Sequence, residues 1–151
     1  MQQAILLARQ YDAVVANPPY MGRKFQNGPL KHFTKSVFDG YEKDIFSCFI
    51  VRNGFFAKVD GNLGFMSPFV WMFISTHEQV RLRMITEHSL TSLVQLEYSG
   101  FAEATVPVCA FTLTNGHVSD STASFIRLTS FRGSELQGPK TLEAIKNPDC
   151  G

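Results

Sequence analysis

The chain has 151 residues, a 44% hydrophobic fraction and a formal net charge of +1 at pH 7. A chain of this length can hold one hydrophobic core, but its charge lacks the basic field that free-standing DNA-binding domains usually carry. It contains neither a signal-peptide pattern nor an apolar run of about 20 residues, so we expect a cytoplasmic protein without a membrane span.

The hydrophobic pattern predicts alternating helices and strands, beginning with the end of a helix over 2–10. The apolar, β-branched run over 11–16 predicts a buried strand that ends at two prolines. The polar stretch over 21–40 contains Gly and Lys residues and is expected to be a loop.

Further elements are predicted in chain order: a helix over 41–58, a turn at 60–62, a strand over 63–67, a helix over 76–88, a strand pair over 90–98 and 108–113, and a strand over 124–128. In the helix over 76–88, Val80, Met84 and Ile85 are expected to face the core. Residues 1–132 are predicted to be one domain. The turn-rich stretch over 133–151 is expected to be a loosely ordered tail.

The tetrapeptide Asn17-Pro18-Pro19-Tyr20 follows the first predicted strand, and ligands of α/β sheets bind at the carboxyl ends of strands. Its residues suit methyl transfer to a planar exocyclic amine, whose lone pair is delocalised into the ring. The Asn17 amide oxygen and the Pro18 carbonyl, on a backbone stiffened by both prolines, could accept the N–H groups of the amine. Tyr20 offers a ring on which the base can stack. The plainer alternative is a strand followed by a proline turn.

The run over 11–22 resembles the catalytic motif of adenine-N6 DNA methyltransferases, most closely that of the PglX-type enzymes of BREX phage defence and of related restriction-system methylases. The resemblance continues, in the family's order and spacing, through 44–46, 64–68, 71–73 and 101–106. It implies DNA as the partner and S-adenosylmethionine as the cofactor. It also implies that Asn17, Pro18, Pro19 and Tyr20 are catalytic.

The resemblance assigns roles to residues outside the tetrapeptide as well. Phe101 would stack on the flipped adenine opposite Tyr20, unless it simply packs on the core. Asp44 lies in a stretch that the family uses near the methionine end of the cofactor, but it could equally begin a helix.

Basic residues between aromatic ones in the stretch after the tetrapeptide are candidates for DNA contact: Arg23, Lys24, Lys31 and Lys35. The alternative is a solvated connection. The three cysteines and four histidines lack the spacing of metal ligands, so no metal site is expected.

Enzymes of this family bind S-adenosylmethionine on a glycine-rich loop after their first strand. About ten residues precede the strand over 11–16, and the chain contains no G-x-G pattern, so we expect the cofactor loop to lie outside it. The predicted fold class is therefore α/β: strands four to seven of a Rossmann-like methyltransferase, with an incomplete sheet. Such a piece is expected to be inactive alone.

Two alternatives remain at this point. The same tetrapeptide serves enzymes that methylate glutamine or guanine N2, and a truncated chain could assemble without catalysing. Without the first strand of the family beside it, the strand over 11–16 should be an exposed edge, through which the chain could form a homo-oligomer.

Overall fold

One mixed sheet forms the centre of the computed structural model, which describes residues 2–98, 100 and 106–147. In this part of the chain its strands are β1 (Tyr11–Ala16), β2 (Ala57–Pro68), β3 (Ser89–Gln95), β4 (Val108–Thr114) and β5 (Ser124–Arg127). Their order across the sheet is β1-β2-β4-β3-β5. β1 is parallel to β2, β3 is parallel to β5, and β4 is antiparallel to both of its neighbours. The α/β class, the strand pair and its antiparallel member are confirmed.

The helices of the same residues are α1 (Gln2–Ala8), α2 (Gly28–Val37), α3 (Ile45–Phe56), α4 (Glu78–Thr86) and α5 (Ser134–Lys146). Short 3-10 helices cover Arg23–Phe25, Phe69–Met72 and Ser75–His77. No helix within the described ranges is long and apolar enough to cross a membrane.

The main core lies on the face of the sheet that α3 and α4 cover. Phe65 of β2 pairs in register with Phe111 of β4, and their ring centroids are 5.4 Å apart. Phe46 and Ile50 of α3 pack in the same cluster, and each is at most 2% exposed. Alternation along β2 and β4 thus directs one apolar set of side chains toward these helices.

A smaller core of Leu96, Val108 and Leu128 lies on the opposite face. The prediction of a loosely ordered tail over 133–151 is wrong for residues 134–146, because these form α5. Its buried Gln137 accepts a hydrogen bond from the Glu97 N–H at 3.1 Å and donates to the Phe131 carbonyl at 2.6 Å. The long-range bond to Glu97 and the local bond to Phe131 hold a helix that has little apolar pattern of its own.

The prediction of a loop over 21–40 is also wrong, since half of this stretch is α2. The Asn27 side chain caps this helix by accepting the Leu30 N–H at 3.0 Å, and Pro29 lies in its first turn. Proline is favoured there because the first N–H groups of a helix have no partner within the helix. A Gly-Pro pair therefore marked a helix start rather than a loop.

Two further expectations need correction in detail. Val80 and Met84 are buried as predicted, but Ile85 is 63% exposed, because α4 packs with a narrower face. The turn at 60–62 lies within β2, where Asp60 has a positive φ of 60° and the pairing with β1 shifts register. A Cβ on Gly61 would lie 2.9 Å from the Lys58 carbonyl oxygen, so only glycine fits this bulge.

β1 was expected to be buried, and it is not. Among the described residues it pairs on one side alone, with β2, and Val15 is 83% exposed. The expectation of an exposed strand edge is confirmed. An apolar run can form a strand from its local pattern, but its burial depends on which strands lie beside it.

Candidate functional site

The tetrapeptide Asn17-Pro18-Pro19-Tyr20 leaves the sheet at the carboxyl end of β1, as the sequence predicts. β2 is parallel to β1, so its own carboxyl end at Ser67 and Pro68 lies at the same edge of the sheet. Pro18 is buried, whereas Asn17, Pro19 and Tyr20 are exposed. The strand ends here because prolines donate no backbone N–H to a ladder.

The side chains of Asn17 and Tyr20 meet each other. The Tyr20 hydroxyl donates to Oδ1 of Asn17 at 3.1 Å. Burial, and secondly the nearby Cys109 thiol, raise the pKa of Tyr20 above its ordinary value, so the phenol keeps its proton at neutral pH. An amide oxygen has two lone pairs, and one therefore remains for a second donor. The pair leaves Asn17 able to accept an N–H from a bound amine.

Beneath this edge of the sheet the side chains are small and buried. Ser67 pairs in register with Cys109, and both are fully buried. Burial raises the pKa of the Cys109 thiol to about 11, so Cys109 is a neutral thiol rather than a nucleophile. The site therefore has an uncharged floor.

Asp44 contacts the residue that follows the tetrapeptide, Met21. Its Oδ1 accepts the Met21 N–H at 3.0 Å and the Phe46 N–H at 3.3 Å, so it caps α3. Burial raises the pKa of this carboxyl, and the hydrogen bonds from residues 46 and 21 act in the opposite direction. The predicted role at a helix start is confirmed, and the role near the cofactor stays a prediction.

Two of the four basic candidates are paired with one buried carboxylate. Arg23 and Lys35 lie 3.3 and 3.4 Å from Oε1 of Glu42, whose side chain is only 4% exposed. Lys35 also bonds to Asp39. Burial alone would raise the pKa of Glu42, but the backbone N–H groups of residues 42 and 40 and the Lys35 charge together lower it.

Glu42 is a residue that the sequence analysis missed. Its Oε2 accepts the Gly40 N–H at 2.7 Å, so the carboxylate joins the end of α2 to the segment before α3. A single acid in a polar stretch gives no pattern that would predict this burial. The other two basic candidates are arranged differently: Lys24 lies over the Phe25 ring at 4.7 Å, and Lys31 is half-buried.

A buried polar pair was missed as well. Ser47 Oγ and His77 Nδ1 are 3.2 Å apart, and the His77 ring lies 5.0 Å from the Phe46 ring. Burial, and secondly the Arg81 charge, lower the pKa of His77, so its ring is neutral at pH 7. The pair connects the first turn of α3 to the start of α4.

Some predicted features cannot be placed or do not fit. Phe101 lies outside the described residues. Within the described ranges, no group of three His, Cys, Asp or Glu side chains is arranged to hold a metal. For S-adenosylmethionine the fit is poor: the sequence has no G-x-G pattern, and Oδ1 of Asp44 is occupied by two backbone N–H groups.

Comparison with known proteins gives a consistent result. The family model of the Eco57I restriction-modification methylases matches residues 3–101. The adenine-specific methyltransferase BrxX of Escherichia coli O9:H4 (strain HS) is 34% identical over 131 residues, 85% of this chain and 11% of that protein. The adenine-specific methyltransferase PglX of Lacticaseibacillus casei (strain Zhang) is 26% identical over 146 residues. That match covers 95% of this chain but only 12% of the length of PglX.

Solved structures support the fold. One of them is described as a putative class I S-adenosylmethionine-dependent methyltransferase and comes from Listeria monocytogenes. It superposes with a TM-score of 0.65 at 16% identity, and the match covers 92% of this chain and 43% of that one. The DrdV protein, solved in complex with DNA, superposes with a TM-score of 0.64 at 16% identity, covering 95% of this chain and 17% of that one. At these identities the likeness concerns the fold.

Proposed function

This chain belongs to the Eco57I restriction-modification methylase family, and we propose that it is the target-base half of an adenine-specific DNA methyltransferase of a restriction-modification or phage-defence system. Residues 1–132 make up this half. The observation that carries the proposal is the Asn17–Tyr20 pair at the carboxyl end of β1, which leaves an acceptor free at an exposed position.

The proposed chemistry follows from the acceptors of the tetrapeptide. Oδ1 of Asn17 and the Pro18 carbonyl accept hydrogen bonds from the two N–H groups of the adenine N6 amine. These bonds localise the lone pair on the nitrogen, so that it is less delocalised into the ring. S-adenosylmethionine, when bound, would supply the methyl group. No general base is required, because the amine loses its proton only after it has become cationic.

The target base must leave the DNA stack to reach this position. Tyr20 stacks on one face of it, and Phe101 stacks on the other. A stacked base contributes about 1–3 kcal/mol by comparison with alanine. The 36% exposure of Tyr20 supports this role, since the residue is accessible to a ligand while its hydroxyl is bonded to Asn17.

DNA is the proposed partner, contacted through the basic residues around α2. Lys24 lies over the Phe25 ring and Lys31 is half-buried, whereas Arg23 and Lys35 form ion pairs with the Glu42 carboxylate. The structure of DrdV in complex with DNA, which has the same fold, supports this choice of partner. The relatives BrxX and PglX are adenine-specific methyltransferases, which favours adenine over glutamine or guanine N2 as the acceptor.

A second role is favoured by the free edge of β1, where a homo-oligomer could form. A groove of about 340 Å³ runs along this edge and is lined by apolar side chains, among them Leu6, Leu7, Tyr11, Val15 and Phe56. An unpaired edge beside exposed apolar groups favours pairing with another strand. The chain would then assemble without catalysing.

Calorimetry of S-adenosylmethionine binding, followed by a DNA methylation assay, tests the main proposal. We would compare the 151-residue chain with a version extended upstream in its reading frame. Binding and adenine methylation by the extended version alone are expected. If the extended version binds the cofactor and methylates another acceptor, the adenine assignment is wrong. If it binds no cofactor at all, the non-catalytic alternative is favoured.

A further inference from the structure

We propose that Asp44 is a positioning residue, whose side chain fixes the backbone immediately after Tyr20 and thereby the ring that stacks on the target base. This inference deepens the proposed function and rests on it. It gives Asp44 a different role from the one near the cofactor that the family resemblance implies.

The contacts converge on one residue, Met21. Oδ1 of Asp44 accepts the Met21 N–H at 3.0 Å, and the Met21 carbonyl accepts the Ile45 N–H at 3.2 Å. Both backbone polar groups of the residue that follows Tyr20 are thus held by two consecutive residues. The peptide plane that joins Tyr20 to Met21 cannot turn without breaking the Asp44 bond.

The pairing continues for two residues beyond Met21. Gly22 and Asp44 form an isolated antiparallel bridge, and the Arg23 N–H donates to the Lys43 carbonyl at 2.9 Å. The segment 43–45 is itself immobilised, because it leads into α3, whose first residues Ile45 and Phe46 are 7% and 1% exposed. The loop of the tetrapeptide is therefore tied to the main core.

The tetrapeptide is consequently restrained from both directions. Pro18 and Pro19 restrict the backbone before Tyr20, and Asp44 restricts it afterwards. The Tyr20 ring keeps only its own side-chain rotations, and its bond to Asn17 limits these as well. A displacement of about 1 Å in a positioned group can cost up to ~100-fold in rate, so the loss of this restraint should be visible in kcat.

Two substitutions separate the restraint on Met21 from the capping of α3. Asp44→Asn keeps an acceptor oxygen of the same reach and removes the charge. Asp44→Ser keeps a favoured N-cap oxygen, but its shorter side chain no longer reaches the Met21 N–H. Asn27→Ser is the matched control, because Asn27 caps α2 through the Leu30 N–H and is exposed.

The first measurement is amide hydrogen exchange of Met21 in the 151-residue chain. The Met21 amide is expected to be protected in the native chain, in Asp44→Asn and in Asn27→Ser. In Asp44→Ser its protection should be about ten-fold lower or more. Equal protection in Asp44→Ser would overturn the proposal. This measurement does not depend on catalysis, so it stands even if the proposed function fails.

The second measurement is methylation by the upstream-extended protein. Asp44→Ser should lower kcat between ~10- and ~100-fold while the KM for S-adenosylmethionine changes little, and Asp44→Asn should recover most of this loss. If both variants instead raise that KM alike, the carboxylate charge serves the cofactor and the positioning role is wrong. A native protein that does not methylate DNA at all contradicts the proposed function, whereas the exchange result still decides the role of Asp44.

Discussion

The hydroxyl of Tyr20 donates a 3.1 Å hydrogen bond to Oδ1 of Asn17, so the residue proposed to stack on the base also orients the amide proposed to accept the amine. An amide that can rotate presents its oxygen or its nitrogen to a bound amine with similar ease. The bond from Tyr20 selects the oxygen side. In the proposed reaction, the hydroxyl of Tyr20 is therefore as relevant as its ring.

The substitution Tyr20→Phe removes this bond and keeps the ring. Because a hydrogen bond contributes about 0.5–1.5 kcal/mol, we expect kcat to fall by about 2- to 10-fold with little change in DNA affinity. Steady-state methylation kinetics measure both. Tyr11→Phe is the control, since it removes a phenol bond of 2.8 Å to the Leu6 carbonyl away from the site. An unaltered kcat in Tyr20→Phe would leave stacking as the sole role of Tyr20.

The basic residues around α2 should divide into two pairs. Replacing Lys24 and Lys31 with Gln should weaken DNA binding and lower the slope of log affinity against log salt by about 1 to 2, because up to two phosphate contacts are lost. A salt titration of DNA binding by the upstream-extended protein tests this. Unchanged affinity and slope would show that α2 does not contact DNA.

Replacing Arg23 and Lys35 with Gln should act on folding instead. Glu42 would keep its charge at 4% exposure without a cation, which we expect to lower the free energy of unfolding by about 1–3 kcal/mol. Urea denaturation of the 151-residue chain measures the loss. Adding Glu42→Gln to the same variant should restore part of it. If the double variant is as stable as the native chain, these ion pairs contribute nothing to folding.

The stability of the chain should decrease as the pH falls below the ordinary pKa of histidine. Burial, and secondly the Arg83 charge, lower the pKa of His88 in the fold. Because the pKa of His88 is lower in the folded than in the unfolded chain, the neutral ring contributes to the free energy of unfolding. This contribution is complete above about pH 6.5 and is lost as the pH falls further. His77 acts in the same direction.

Urea denaturation at about pH 7.5 and about pH 5.5 measures this dependence. Each buried histidine contributes a slope of at most ~1.4 kcal/mol per pH unit. His88→Gln should reduce the difference between the two conditions. The same difference in the native chain and in His88→Gln would contradict the assignment.

Self-association through β1 is testable at one residue. Val15 is 83% exposed on this strand, so Val15→Lys should cost little stability but oppose strand pairing, because lysine on an edge strand disfavours it. Analytical ultracentrifugation at tens of micromolar should find the native chain associated and Val15→Lys monomeric. Val118→Lys, at an exposed position outside the sheet, is the control. A monomeric native chain would contradict the oligomer proposal.

Local pattern was sufficient to predict much of the fold. The strands over 11–16, 108–113 and 124–128 were found because alternating or β-branched apolar runs end at turn residues. The helix over 41–58 was found with bounds that were too wide, because Asp44, rather than Tyr41, begins it. The position of the tetrapeptide at the end of β1 followed from the apolar, β-branched run over 11–16 and the two prolines that end it.

Other features depend on contacts between distant residues. The sequence of 133–147 does not indicate that Gln137 bonds to Glu97, 40 positions earlier, and this bond holds α5 in place. Likewise the burial of Glu42 requires Arg23 and Lys35 to lie beside one of its oxygens, Oε1. Such pairs leave no periodic signal.

The sequence by itself predicted the proposed chemistry, because Asn17, Pro18, Pro19 and Tyr20 are adjacent in the chain and their order needs no folding to be recognised. Only the tertiary structure decided how that tetrapeptide is held, with Tyr20 bonded to Asn17 and Asp44 bonded to the next peptide group. The physical reason is the range of each interaction. Backbone stiffness acts between neighbours, whereas the partly buried hydrogen bond to Asp44 depends on a partner that folding brings from 23 residues away.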